Sequence, residues 1–266
     1  MDVEKLKEGT RKGWSQGDYS LISERLRPVA HVLVDECAIS AGQEVLDAAA
    51  GDGNVAIAAA EEGASVTACD ITPMMIERGR ERSEAEGVDI EWVEGDVEAL
   101  PFADESFECV TSAFGLFLAP RPELAAREVF RVLRPGGTFG MTAWTREGFM
   151  GQVFEMNSRF DPGPPGLPAT MDWGNEAIVQ SRLEGLAGSV RTERRTLRWE
   201  FDAPESYWNF LGKSGPTAAR RAALEAGQLE QMRAALFEII DRFNQADDGS
   251  VSVEGEYLLT VARKRG

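Results

Sequence analysis

Two acids and the glycine-bearing turn between them carry the most legible chemistry in this 266-residue chain. Asp47 closes the apolar run Val45-Leu46, the turn Ala49-Ala50-Gly51-Asp52-Gly53-Asn54 follows, and Asp70 closes a second run, Val66-Thr67-Ala68-Cys69. Apolar runs alternating with helical stretches specify parallel strands joined by crossover helices. In such sheets small ligands sit beyond the carboxyl ends of the strands, where the topology switches. Gly51 and Gly53 lack a Cβ where backbone must approach a ligand, and Asn54 opens a helix whose N-terminus favours a ligand carboxylate. Asp70 could accept two hydrogen bonds from vicinal ribose hydroxyls. Asp47 would repel a pyrophosphate, yet it suits a ligand bearing ammonium and sulfonium charges. The stretch Gly51–Ala56 also fits the loose dinucleotide pattern with alanine third, and equally a tight turn with no ligand.

A third block, Val93-Glu94-Gly95-Asp96-Val97-Glu98-Ala99-Leu100-Pro101-Phe102, adds an adenine site. Asp96 could accept from the amino group, with Val97 and Ile71 or Met74 against the ring faces and Glu98 beside them. The plainer readings are a turn-capping carboxylate for Asp96 and core packing for Met74.

These residues need a scaffold, and the pattern supplies one. Strands are predicted at 44–48, 65–69, 89–93, 107–113 and 137–144, and helices at 53–63, 73–86 and 122–134. Arg134-Pro135-Gly136-Gly137 ends the last of these before the fifth strand. Residues 1–40 read as amphipathic helix broken at Gly13, Gly17 and Pro28. After Trp144 the alternation lapses, and Asp161–Pro168, rich in proline and glycine, reads as a loop or lid boundary. A helix at 174–187, an alternating strand at 191–201, helices at 203–211 and 217–244 and a last strand at 251–263 complete the chain.

Bulk properties narrow the partners. With 28 Lys+Arg against 45 Asp+Glu the net charge is −17. Such a field repels nucleic-acid backbones and anionic membrane surfaces, so neither partner is expected. Cys37, Cys69 and Cys109 have no metal-like spacing and read as reduced core thiols, and no metal is expected. The N-terminus lacks the apolar segment of a signal peptide and no run approaches membrane-spanning length, so a soluble, cytoplasmic protein is expected.

Asp104-Glu105-Ser106-Phe107-Glu108-Cys109-Val110, Phe114-Gly115-Leu116 and Val132-Leu133-Arg134-Pro135-Gly136-Gly137 complete a set of five blocks in fixed order. Together, over about residues 42–145, they resemble the class I S-adenosylmethionine-dependent methyltransferases, in particular the ubiquinone/menaquinone C-methyltransferase branch. The resemblance implies a Rossmann-like α/β/α sandwich, with a seven-stranded, mostly parallel sheet whose last strand is antiparallel, plus a small helical cap. It implies one domain, with an N-terminal cover at 1–40, a cofactor core at 41–145, cap elements at 146–190 and 203–246, and the last strand at 251–264. S-adenosylmethionine is the implied cofactor and S-adenosylhomocysteine the product, with contacts at Asp47, Gly51, Gly53, Asp70, Asp96 and Val97. Ala49 stands where the family has its first glycine, a replacement tolerable if its φ stays negative.

Outside these blocks, Trp14 and Tyr19 resemble the aromatic segment with which related enzymes cover the cofactor. Tyr19 could bond the ligand carboxylate and Trp14 could wall the transfer site; stapling of the first helix explains them as well. Ser112, Phe114 and Phe117 follow the fourth strand and Trp144 ends the fifth, where aromatic rings would build an apolar acceptor pocket. His31, the only histidine, is the candidate general base, against an ordinary helix-surface role. The expected reaction is methyl transfer to a small, fairly apolar acceptor, by a monomer or homodimer. The rivals are a non-methylating cofactor-binding relative and a nicotinamide-dependent oxidoreductase, which fits Asp47 and the Gly95–Phe102 block poorly.

Overall fold

A computed structural model describes all residues except 1, 163–165, 167 and 214, so the centre of the proline–glycine stretch lies outside the described residues. Seven strands form one sheet: β1 (Glu44–Ala48), β2 (Ser65–Asp70), β3 (Ile90–Glu94), β4 (Phe107–Ala113), β5 (Leu133–Trp144), β6 (Ala187–Phe201) and β7 (Val251–Lys264). Their order is β3-β2-β1-β4-β5-β7-β6. β1 pairs in parallel with both β2 and β4, and β7 runs antiparallel to β5 and β6. The chain therefore leaves β1 first toward β2 and later returns to its other side at β4. That reversal opens a crevice at the strand ends.

The inner strands are apolar because both faces are covered by helices. Val45, Leu46 and Ala48 of β1 are fully buried, as are Val110 of β4 and Phe139 and Met141 of β5. The crossover helices are α3 (Asn54–Glu61), α4 (Pro73–Glu86) and α5 (Pro122–Val132). Two helices precede the sheet, α1 (Val3–Trp14) and α2 (Ser20–Cys37). Helices α6 (Phe149–Phe160) and α7 (Glu176–Leu183) lie between β5 and β6 in the chain, and α8 (Pro204–Lys213), α9 (Gly215–Ala223) and α10 (Ala226–Phe243) between β6 and β7.

Several sequence expectations change. α2 runs through Pro28 without a break. Pro28 and Glu24, whose carbonyl loses its donor, are both exposed, so water can satisfy that carbonyl. Residues 134–137 do not end an element: β5 begins at Leu133, and they bulge out between the Phe107–Leu133 and Cys109–Thr138 pairs. The long helix predicted at 217–244 is two, α9 and α10. The predicted helix at 174–187 shortens to α7, because β6 already begins at Ala187. α6 was not anticipated, although Phe149, Val153, Met156 and Phe160 recur at helical spacing.

Candidate active site

A cavity, part of it open to solvent, lies beyond the carboxyl ends of β1, β2, β3 and β4. Its floor is the turn Ala49-Ala50-Gly51 after β1, Asp70-Ile71-Thr72 after β2, Gly95-Asp96-Val97 after β3 and Ala113-Phe114-Gly115 after β4. Lys7, Thr10 and Trp14 of α1 and Tyr19 at the start of α2 close it from above.

Asp70 is buried and ends β2 at the cavity. Its Oδ2 accepts the Gly51 N–H at 2.9 Å and its Oδ1 the Thr72 N–H at 2.8 Å, which fixes the carboxylate. Burial pushes its pKa up, opposed by the Gly51 and Thr72 bonds. Gly51 has φ +59°, and a Cβ there would stand 3.2 Å from the Tyr19 hydroxyl oxygen. Side chain and backbone are thus brought together over the turn. Burial and the charges of Asp52 and Asp70 raise the Tyr19 phenol far above its ordinary value, so it stays protonated.

Asp47 takes a different place. It is fully buried and is not among the residues lining the cavity. Its Oδ2 accepts the Ala56 N–H at 3.0 Å and its Oδ1 the Thr111 hydroxyl at 3.2 Å. Ala56 lies in the first turn of α3, so Asp47 itself fills the anion position expected for a ligand carboxylate. Burial raises its pKa to about 7, with the Thr111 and Ala56 bonds opposing. Gly53, φ +91°, likewise faces protein, since a Cβ there would approach the Trp92 ring to 2.6 Å.

Asn54 ties α2 to α4: its amide donates to the Ser23 carbonyl at 2.8 Å and its carbonyl accepts from Arg82 at 2.9 Å. Met74 gives way to its neighbour Met75 at the cavity wall. Ala49 lines the cavity with φ +54°, so the condition of a negative φ is not met. Its methyl group is accommodated by Gly115, where a Cβ would lie 2.7 Å from the Ala49 Cβ and 2.5 Å from its carbonyl oxygen.

The apolar end rests on Phe114, which also has a positive φ, +52°. That backbone costs ~1–2 kcal/mol for an L-residue and recurs at functional sites. Trp144 is stacked against Phe114, with centroids 4.0 Å apart and planes at 15°. Trp144 therefore backs the pocket and does not line it. Phe117 is buried against Phe154, and buried Ser112 accepts the Leu116 N–H at 2.9 Å, holding the turn after β4. His31 is exposed on α2, whose inward face is Leu26, Val29, Ala30, Leu33 and Val34, and it is not a lining residue.

Lys7 is the functional candidate that the sequence did not single out. It is buried, ion-paired with Asp96, and 2.6 Å from Glu98. Glu98 does not line the cavity; it also pairs with Arg121 at 2.7 Å. Burial disfavours the Lys7 charge, but the bonds to Asp96 and Glu98 outweigh it and raise its pKa. Among the described residues no group of three or more His, Cys, Asp or Glu could hold a metal ion, and no helix is long and apolar enough to cross a membrane.

The sheet order, with β1 paired in parallel between β2 and β4 and the last strands antiparallel, defines a Rossmann-like protein. Residues 45–137 match the methyltransferase domain family model. An uncharacterized protein of Mycobacterium tuberculosis is 37% identical over 265 residues, 96% of this chain and 94% of its own length. A ubiquinone/menaquinone biosynthesis C-methyltransferase of Roseobacter denitrificans is 35% identical over 150 residues, covering 50% of this chain and 60% of its own. Among solved structures, a Haemonchus contortus N-methyltransferase with bound S-adenosylhomocysteine matches with TM-score 0.58 and 17% identity, over 90% of this chain and 53% of its own. The cyclase SpnF matches with TM-score 0.57 and 16% identity, over 90% and 86%. Over residues 45–137 the chain belongs to the methyltransferase domain family, and its fold is that of solved methyltransferases.

Proposed function

We propose that the protein methylates a small, fairly apolar acceptor in the cavity between the strand ends and α1, by alignment and exclusion of water. The observation that carries this reading is that one cavity is lined both by acids at two strand ends, Asp70 and Asp96, and by the apolar side chains of Trp14, Phe114, Leu118, Ala119 and Pro120. Asp70 suits the ribose diol as a carboxylate held at the strand end, and Gly51 lets ligand and Tyr19 approach the backbone. Ile71, Val97 and Met75 suit the faces of the adenine ring. S-adenosylmethionine supplies an electrophilic methyl group on a sulfonium.

The chain's own residues then have two tasks. Phe114, backed by Trp144, presents an aromatic face that favours a nearby cation. Trp14 stands edge-on to Tyr19, 5.5 Å away, and shields the acceptor from water. Good alignment alone corresponds to effective molarities of ~10⁵–10⁸ M. The titratable residues lining the cavity are Lys7, Tyr19, Asp70 and Asp96. Lys7 is engaged in its ion pair and Tyr19 stays protonated, so neither serves as a base. With His31 outside the cavity, the acceptor atom arrives already nucleophilic.

The oxidoreductase reading loses support because Asp47 occupies the first turn of α3, where a dinucleotide pyrophosphate would sit. The test is transfer of a labelled methyl group from S-adenosylmethionine to acceptors graded in polarity. Label should enter neutral aromatic or aliphatic acceptors with free nucleophilic atoms. Transfer confined to charged acceptors, or labelled donor bound without any transfer, would refute the proposal; the second outcome would point to a non-methylating relative.

A further inference from the structure

We propose that Lys7 is a positioning residue that latches α1 over the cofactor and holds Asp96 in place. The inference rests on the reading of this cavity as the cofactor site. Lys7, Thr10 and Trp14, spaced by three and four, share one face of α1 and form the roof of the cavity. Roof helices are ordinarily fixed by burying apolar side chains. α1 does not do so: its buried residues are Lys7 and Gly13. Gly13 lets the helix pack against Pro216, where a Cβ would come within 3.4 Å of the proline ring, and Arg11 donates to the Ile71 carbonyl at 3.1 Å. The strongest tie is therefore an ion pair.

The cluster at Lys7 is densely charged. Asp96 and Glu98 face Lys7 and Arg121, and Glu4 of α1 also acts on Arg121. Arg121 is substantially exposed, whereas the Lys7 and Glu98 side chains are almost wholly buried. Without Lys7, two carboxylates would share one solvent-facing cation, and removing one member of a buried pair is strongly unfavourable. Both Asp96 oxygens are already engaged, Oδ1 by the Glu98 N–H at 2.9 Å and Oδ2 by Lys7. An adenine amino group is a neutral donor that can add to a free lone pair of Asp96 but cannot replace the lysine charge. Lys7 therefore stays in place when the cofactor is bound. In this reading α1, which lines one side of the cavity, opens to admit the ligand and relatches behind it.

The test follows S-adenosylhomocysteine dissociation by stopped-flow fluorescence and backbone hydrogen exchange of α1, in the wild type, Lys7→Met and Lys7→Arg. Methionine keeps the length of the side chain and removes its charge, whereas arginine keeps the charge. Lys7→Met should release the ligand about tenfold faster, equivalent to ~1.4 kcal/mol. In the ligand-free protein it should speed exchange of the α1 amides and leave those of β1 and α3 unchanged. Lys7→Arg should restore slow release and slow exchange. Equal α1 exchange in wild type and Lys7→Met, or an Arg variant as fast as the Met variant, would overturn the latch. Failure of the wild type to bind S-adenosylhomocysteine would instead overturn the cavity's assignment, and the ligand-free exchange would still decide the role of Lys7.

Discussion

Trp92 and Trp14 are held by different physics, Trp92 in the packing against the glycine turn and α4, Trp14 on the wall of the cavity. Trp92 is buried under α4, in space left by Gly53 and Gly79, where added Cβ atoms would come within 2.6 Å and 2.0 Å of its ring. Trp14 is half-buried on a helix that buries no apolar side chain. The floor of the site is thus a close-packed core that fixes Asp70 and the glycine turn. The roof is a charged attachment that can open. An enzyme that must admit and release a large cofactor needs both, and here they are assigned to different segments of the chain.

Substitution can break this contrast. Trp92→Ala should cost about 3–5 kcal/mol in denaturant unfolding, from lost burial and the cavity left behind. Trp14→Ala should change stability by less than about 1 kcal/mol while raising KM for the acceptor. Similar costs for the two would mean that floor and roof form one packed unit.

Asp47 sharpens the contrast through pH. Its pKa rises on folding from 3.8 to about 7, so the folded state binds the extra proton between those values. Wild-type stability contributed by this group therefore falls as pH rises from about 4 through 7. Asp47→Asn removes the dependence, so it should gain on wild type steadily between about pH 4 and 7 and gain nothing further above that. A smaller effect is expected from Ala49→Gly, which relieves a positive φ and should stabilise the protein by up to about 1 kcal/mol. Thermal unfolding measures both. His31→Ala should leave stability within about 0.5 kcal/mol and methyl transfer unchanged.

The floor was legible in the sequence because strand burial writes itself as apolar runs and the turn as glycines at fixed places. Asp70, Gly51, Asp96 and Val97, which the sequence singles out, line the cavity. What misled was side-chain direction. Asp47 lies one strand end away from Asp70 and looks equivalent, yet its side chain meets the first turn of α3. Trp144 lies behind Phe114, a relation that depends on the positive φ of Phe114, which no residue pattern announces. Lys7 was invisible for another reason. A lysine on an amphipathic helix reads as solvated, and its partner Asp96 is 89 residues away. Long-range ion pairs leave no periodic trace.

The central claim is that Asp70, fixed by the Gly51 and Thr72 amides, anchors the cofactor at the end of β2. Calorimetric titration of S-adenosylhomocysteine into wild type and Asp70→Ala tests it most directly. The account predicts saturable binding to the wild type and an affinity at least about a hundredfold weaker in the variant, from the loss of two bonds to a charged acceptor. Undiminished binding by Asp70→Ala, with its β1 and α3 amides still protected, would contradict it.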